Sequence, residues 1–428
     1  MKPDPESRFL LSSHFHLHSH SAGGNSSVTT CSFSRAPRAV ENNFVRITYR
    51  RTGVWMFLLA LELSQPRHAR GEDAVSYKFQ DYRENGDRIA VRVHGALIEK
   101  NLGTDTTLKV SGIVDTIAGA TPTGEPERNP GEGVPLSTIE EKRKAWSADL
   151  SRQFGDYTFA AGVAHSTESD YISTGWSLNA LADFNSRNTT LNLGIAGTSD
   201  DVTVFFQEDT EDKRSLDMIA GIKQLIDPLT VVSLNITRSH ASGYLGDPYK
   251  LVEKFVEVAP GVSLRRTFSE NRPDSRTKWI VLGTLSRAFP AIHGTIDASY
   301  RYHEDDFGMR SHTLDAEWFE KLGEHFTLSP HLRVEQQTAA DFYRVTLTGT
   351  SITPSSVPTG TGPFYSADYR LSSLRTLNYG MKLIWMPRAG VTLDVALEKY
   401  EMRGRDGVTS DSAYPRATIF TIGGRYAF

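Results

Sequence analysis

The densest group of chemically capable side chains lies in Tyr300–His312 (YRYHEDDFGMRSH). His303, Asp305, Asp306 and His312 crowd together there, with Glu304 among them. Histidine beside carboxylates is the material of general acid–base hydrolysis and of hard-metal binding. A hydrolase would draw its base and orienting acid from these four residues. The simpler account is a solvated acidic hairpin. Ser311 and His312 form no catalytic pair, because adjacent strand residues point to opposite faces.

Other stretches carry charge in loop-like sequence. Asp115 opens DTIAGATPTG, where a carboxylate at a strand end could hold a cation or anchor its own loop. Asp247 and Tyr249 lie in GYLGDPYK, and Arg272, Asp274 and Arg276 in NRPDSR. These charges could pair across one long loop or narrow a pore as a charged constriction. Asp-Pro and Pro-Asp are also ordinary turn chemistry. There is no phosphate-binding Gly-Lys loop, dinucleotide fingerprint, HExxH, CxxCH or nucleophile elbow. Cys31 is the single cysteine. A chain maturing downstream of it has no disulfide, zinc–thiolate site or catalytic thiol. No cofactor is expected.

The elements that must position these residues alternate with period two, as strands do. Counting back from Phe428, Tyr426, Ile422 and Phe420 share one parity and Arg425 the other. Segments of this kind recur: Val75–Arg83, Arg88–Glu99, Thr106–Thr116, Lys142–Phe154, Tyr157–Glu168, Tyr171–Phe184, Asn188–Thr198 and Arg214–Ile226. Then follow Leu229–His240, Ser275–Phe289, Ile292–His303, Arg310–Leu322, His325–Gln337, Arg370–Met386, Val391–Met402 and Arg416–Phe428. Tight links such as Asp227-Pro228 and Gly323-Glu324 alternate with long ones, 117–141, 199–213, 241–274, 339–369 and 403–415. That is the layout of a transmembrane antiparallel up-and-down β-barrel of about sixteen strands, with short periplasmic turns and long outer loops. Phe428 would then end in the periplasm. The bilayer and the barrel-assembly machinery are the partners this fold requires.

Face assignment follows from energetics. An Arg or Lys facing lipid at mid-bilayer costs about 2–4 kcal/mol. The charged parity should therefore face the lumen: Asp297, Arg301, Asp315, Glu317, His331, Arg333, Glu335, Lys382, Asp394, Glu398 and Arg425, together with Arg92 and His94. Trp318 and Trp385 should join an aromatic girdle near the short turns.

Composition agrees. Only 39% of residues are hydrophobic, as expected when only alternate residues meet lipid. Past the leader, no run approaches the roughly 18 apolar residues of a spanning helix. A net charge of −4 gives no reason to expect nucleic acid. Residues 45–71 combine Arg46, Arg50 and Arg51, the apolar Val54–Leu61 and Ala69-Arg70-Gly71, the layout of a secretory signal. Residues 1–44 read as a disordered extension outside the native start, and 72–428 as the barrel. The alternating His14, His16, His18 and His20 have metal-binding composition, though disordered sequence explains them more simply.

Several stretches together resemble a bacterial family, domain of unknown function 3570: Asp115–Gly124, Gly243–Lys250, Arg272–Arg276, Tyr300–Asp306, Ser311–Thr313, Ala339–Tyr343 and Tyr365–Ser372. The resemblance spans Val75–Phe428. It implies an outer-membrane barrel of unknown activity in a Gram-negative bacterium. Such genes tend to neighbour small lipoproteins, thioredoxin-like proteins and flavin transferases. The resemblance therefore implies a periplasmic lipoprotein, thioredoxin-like or flavinylated partner, and supplies no catalytic residue. The expected role is a non-enzymatic porin-like channel or a scaffold for extracytoplasmic, redox-related partners. The alternative is a hydrolase at the extracellular rim.

Overall fold

The computed structural model describes residues 73–428 except 87, 205–209 and 356. The leader, the N-terminal extension and Cys31 lie outside the described residues. Nineteen strands occur in chain order: β1 (Ala74–Glu84), β2 (Ile89–Asn101), β3 (Thr106–Pro122), β4 (Leu136–Phe154), β5 (Tyr157–Thr167), β6 (Tyr171–Phe184), β7 (Thr189–Thr203), β8 (Thr210–Asp227), β9 (Thr230–Gly243) and β10 (Leu251–Ala259). They continue as β11 (Val262–Ser269), β12 (Ser275–Phe289), β13 (Gly294–Asp305), β14 (Arg310–Leu322), β15 (Phe326–Gln337), β16 (Thr346–Leu347), β17 (Leu374–Arg388), β18 (Val391–Gly404) and β19 (Arg416–Ala427).

Sixteen of them close into one antiparallel barrel, and β10, β11 and β16 form a separate small sheet. The weakly patterned first segment closes the ring: β1 pairs with β19 from Ala74↔Ala427 to Glu84↔Ala417, and with β2 on its other edge. Closure leaves no wall strand with an unpaired edge, the condition for β structure in lipid.

All four long links, 123–135, 244–274, 338–373 and 405–415, lie at one end of the barrel, together with the short links 85–88, 168–170 and 306–309. The other end has tight turns, including Gly155-Asp156 and Arg388–Val391. The expected links 117–141 and 199–213 are shorter, because β3 runs on to Pro122, β4 starts at Leu136, and β7 and β8 reach Thr203 and Thr210. Arg370 does not begin a strand. It lies in a 3-10 turn, Tyr369–Leu371, capped by Asp368.

The outward face is apolar between two aromatic levels. Near the short turns, Phe326 stacks on Trp385 with ring centroids 6.2 Å apart, Phe289 lies 5.6 Å from Trp318, and Tyr426 lies 5.6 Å from Phe428. Nearer the long loops stand Trp146, Trp176 and Trp279. Trp146 and Phe154 are separated by roughly 27 Å along β4. A strand tilt of about 40° gives a band height of roughly 20 Å, near that of a barrel's apolar belt. Exposed Leu178, Leu193, Ile222, Leu234, Leu332 and Leu397 fill the belt.

Candidate functional site

The two longest loops meet over the mouth of the barrel. Gly243 ends β9 with φ +98°, and a Cβ there would lie 2.2 Å from the Asp212 carbonyl oxygen, so only glycine makes this turn. The chain then crosses the opening. The Asp247 carboxylate accepts the Tyr249 amide at 2.9 Å, the Asx geometry expected of Asp-Pro. Tyr249 donates its hydroxyl to Asp170 (2.7 Å) in the link between β5 and β6. Lys250 donates its ammonium to the Pro122 carbonyl at 2.6 Å, and the Leu251 amide donates to Thr123 at 2.8 Å. The hairpin β10–β11 rises beyond this anchor. The chain returns through Asn271, which exchanges both backbone hydrogen bonds with Tyr365 of the other long loop at 2.9 Å.

A buried ion network joins the two loops. Arg272 reaches Glu270 and Asp368, each at 2.7 Å. Arg370 reaches Asp247 at 2.7 Å and donates its Nε to Asp368 at 2.8 Å. With Lys250, the cluster has three cations against three carboxylates. Lys250 and Asp368 are 0% exposed and Glu270 1%. Burial alone would raise the Asp368 carboxyl, but Arg370 and Arg272 hold it well below the usual carboxylate range. Burial pushes Glu270 the other way, up, against the pull of Arg272. These shifts oppose each other with pH. The stability from Asp368 is fully present above about pH 4 and is lost only as the pH falls through its depressed value. Glu270 gains a proton more readily when folded, so mild acid favours the closed form. Hydrogen exchange at Asn271 and Leu371, corrected for intrinsic rate, should therefore stay slow from pH 7 to 5 and accelerate only in strong acid. Opening at pH 5–6 would contradict this balance.

Below the network, Tyr369 points into the barrel. It belongs to one buried cluster with Tyr82, Val91, Val93, Ile117, Tyr400 and Ile419, inward side chains of β1, β2, β3, β18 and β19. Its ring meets Tyr414 edge-on, centroids 5.8 Å apart. On the side of β1 to β3, β18 and β19, the upper inside of the barrel is therefore apolar and covered by loops.

The lower lumen is polar. Lys382 pairs with Glu317 at 2.6 Å, and Ser329 also donates to Glu317. Asp315 lies 3.1 Å from His331 and 3.8 Å from Arg333. Nearer the mouth Arg301 faces Glu335 at 3.5 Å, and at the short-turn end Arg425 faces Glu99 at 3.4 Å. Glu398 accepts from Asn378 at 2.9 Å. Asp394 is buried beside Gly423, where a Cβ would lie 2.2 Å from its Oδ1. Asp297 accepts from Ser286 at 2.5 Å and remains exposed to the lumen. Across from this wall, β5 to β9 present Gly162, Asn179, Asn192, Gly194, Gly221 and Asn235, with the charged Asp183, Asp217 and Lys223 on the same inward face.

All eleven expected lumen residues from Asp297 to Arg425 face inward. Arg92 and His94 do not. Both are exposed on the outer face, where His94 Nδ1 meets the Tyr77 hydroxyl at 2.9 Å and its ring lies 5.2 Å from Phe79. Their apolar neighbours Val91 and Val93 point inward because the loops fill the mouth. Asp115 is also misplaced by sequence. It lies mid-strand in β3, faces inward, and is bound by Arg143 at 2.7 Å. Asp247, Tyr249 and Arg272 do converge, whereas Asp274 is exposed outside the network. Arg276 belongs to a different contact, with Asp305 at 2.9 Å.

The dense hairpin does not form one constellation. His303 faces inward and His312 outward, the latter against the Tyr300 hydroxyl at 2.6 Å. His303 Nε2 lies 3.5 Å from Asp305, but that carboxylate already accepts Arg276 and the Phe307 and Met309 amides. Asp306 accepts the Thr277 amide at 2.8 Å. Among the described residues, no three His, Cys, Asp or Glu side chains are grouped to hold a metal. Sequence reasoning missed Asp368, Arg370, Glu270 and Lys250 as individual residues. Their signal was an unusual density of charge between apolar residues in loop sequence.

No curated protein matches the chain. Solved structures share the barrel at low similarity. The siderophore receptor PirA of Pseudomonas aeruginosa is 10% identical with a TM-score of 0.39, covering 85% of this chain and 62% of its own. CdiB of Acinetobacter baumannii is 9% identical with a TM-score of 0.46, covering 84% and 61%. A loop-deleted OmpT of Vibrio cholerae is 9% identical with a TM-score of 0.40, covering 83% and 98%. The chain thus spans less than two thirds of the receptor's length. A family model does match, over residues 56–210 and 204–414, and the chain belongs to that family, described as protein of unknown function (DUF3570).

Proposed function

We infer that the chain is a non-enzymatic outer-membrane barrel acting as a gated, porin-like conduit. The single observation that carries this reading is a polar, charge-lined lumen closed at one end by two loops on a balanced ion network. A structural filler has no need of Asp297, a carboxylate exposed inside the barrel. An apolar outer belt with a polar interior suits a barrel in lipid. Short turns belong on the periplasmic side of such barrels and long loops outside. Phe428 is accordingly assigned to the periplasm. The short-turn end is where a periplasmic lipoprotein, thioredoxin-like or flavinylated partner would engage.

Planar-bilayer recording tests the conduit. Wild-type barrel should be silent or flicker rarely, and Asp368→Ala should give sustained discrete conductance steps. Silence from both, with insertion verified, would sink the pore.

A further inference from the structure

The outward face of β17, β18, β19, β1 and β2 concentrates cations just beyond the apolar belt at the long-loop end. Arg375 stands directly opposite Arg403. On the neighbouring strand Arg416 stands opposite Glu401, and Thr418 opposite Lys399. Thr418 also faces Arg83, and Asp81 faces Arg92. These six cations are exposed while Thr376, Tyr400, Met402, Ala417, Tyr82 and Val91 beside them are buried, so the cations point away from the lumen. Two carboxylates lie among them: Glu401 pairs with Arg403 at 2.9 Å, and Asp81 with Arg83 at 2.9 Å. Arg375 and Arg416 make no ion pair among the described residues. Like charges directly opposed across strands are destabilising, so Arg375 facing Arg403 calls for an anion. The opposite wall shows no such excess: Asp201, Asp212 and Glu304 there accompany Arg214, Arg238 and Arg310.

Immediately below the patch, exposed Tyr379, Leu397 and Phe420 begin the apolar belt. An occupant must therefore carry phosphate-like charge above and acyl chains below. Anionic headgroups are attracted to clustered Arg and Lys at a membrane interface, and Arg grips phosphate in bidentate fashion.

We propose that this patch binds a phosphorylated, multiply acylated glycolipid of the surrounding leaflet, of the lipid A class. Arg375, Arg403 and Arg416 hold its phosphates, and its chains lie on Tyr379, Leu397 and Phe420. The proposal rests on the membrane orientation given above. Native mass spectrometry of the detergent-purified mature barrel, titrated with bisphosphorylated lipid A, provides the test. The triple variant R375Q/R403Q/R416Q should retain the lipid at least tenfold less than wild type. Arg152→Gln, at the short-turn end over Phe154, should retain it fully. Wild type should prefer the bisphosphorylated over the monophosphorylated form, and retention should fall with salt. Equal retention by the triple variant overturns the site, and equal binding of phosphatidylglycerol overturns the glycolipid assignment. Insertion into plain liposomes is scored separately and should be the same for wild type and triple variant. Failure of wild type to insert would overturn the membrane reading itself.

Discussion

Asp368→Ala should release both long loops while leaving the barrel wall folded. The substitution leaves Lys250, Arg272 and Arg370 facing only Asp247 and Glu270. Removing one partner of a buried ionic group costs about 3–5 kcal/mol, because the surviving charge stays desolvated. The loss falls on loop closure. The barrel strands pair with each other, and none of their ladder bonds involves Asp368. The amides of Asn271, Tyr365 and Leu371, which bond only within and between the loops, should exchange roughly two to three orders of magnitude faster. Amides in β14 and β15 should be unchanged. A uniform acceleration across the wall would mean that the network holds the barrel, not the mouth.

Tyr369→Ala should open the mouth by a different route. Tyr369 is 4% exposed and sits in the buried cluster beneath the loops, with the Lys250 ammonium 5.8 Å from its ring. Truncating a buried aromatic costs about 3–5 kcal/mol, and more of it where neighbours cannot collapse into the cavity. Wall strands held by ladder bonds cannot collapse far. Loop exchange should therefore quicken as in Asp368→Ala, but with no change in salt or pH dependence, since no charge is lost. The two positions are adjacent in one capped turn, so the double variant should be less than additive. Additive effects would place the apolar core and the ion network in separate units.

The barrel was legible because strands have a period of two and because turn lengths alternate. Phe420, Ile422 and Arg425 reveal their faces without any tertiary information, and Trp318 and Trp385 fall near the short turns as the girdle requires. Even the faint segment around Val75 could be placed, since an even strand count was needed to close the ring. What period two cannot give is which face is inside. At mid-belt the cost of a charge in lipid settles it, and the residues from Asp297 to Arg425 lie on the inward face. Near the mouth that cost vanishes, and the loops make the inner face apolar. Val91 and Val93 then look lipid-facing, and Arg92 and His94 are misread. The network itself was hidden for a related reason. Its partners lie on two loops far apart in sequence, and Asp247, Arg272, Asp368 and Arg370 each look like ordinary turn chemistry alone. His303 and His312 show the converse: proximity in sequence did not survive the strand's alternation.

Thiol labelling tests the closed mouth most directly, since Cys31 is the only cysteine and lies upstream of the barrel. Asp297→Cys places one thiol in the lower lumen. In oriented proteoliposomes, a membrane-impermeant maleimide should modify it from the short-turn side only. Combined with Asp368→Ala, it should react from both sides. Equal labelling of the single variant from both sides would contradict the claim that the two loops seal this barrel.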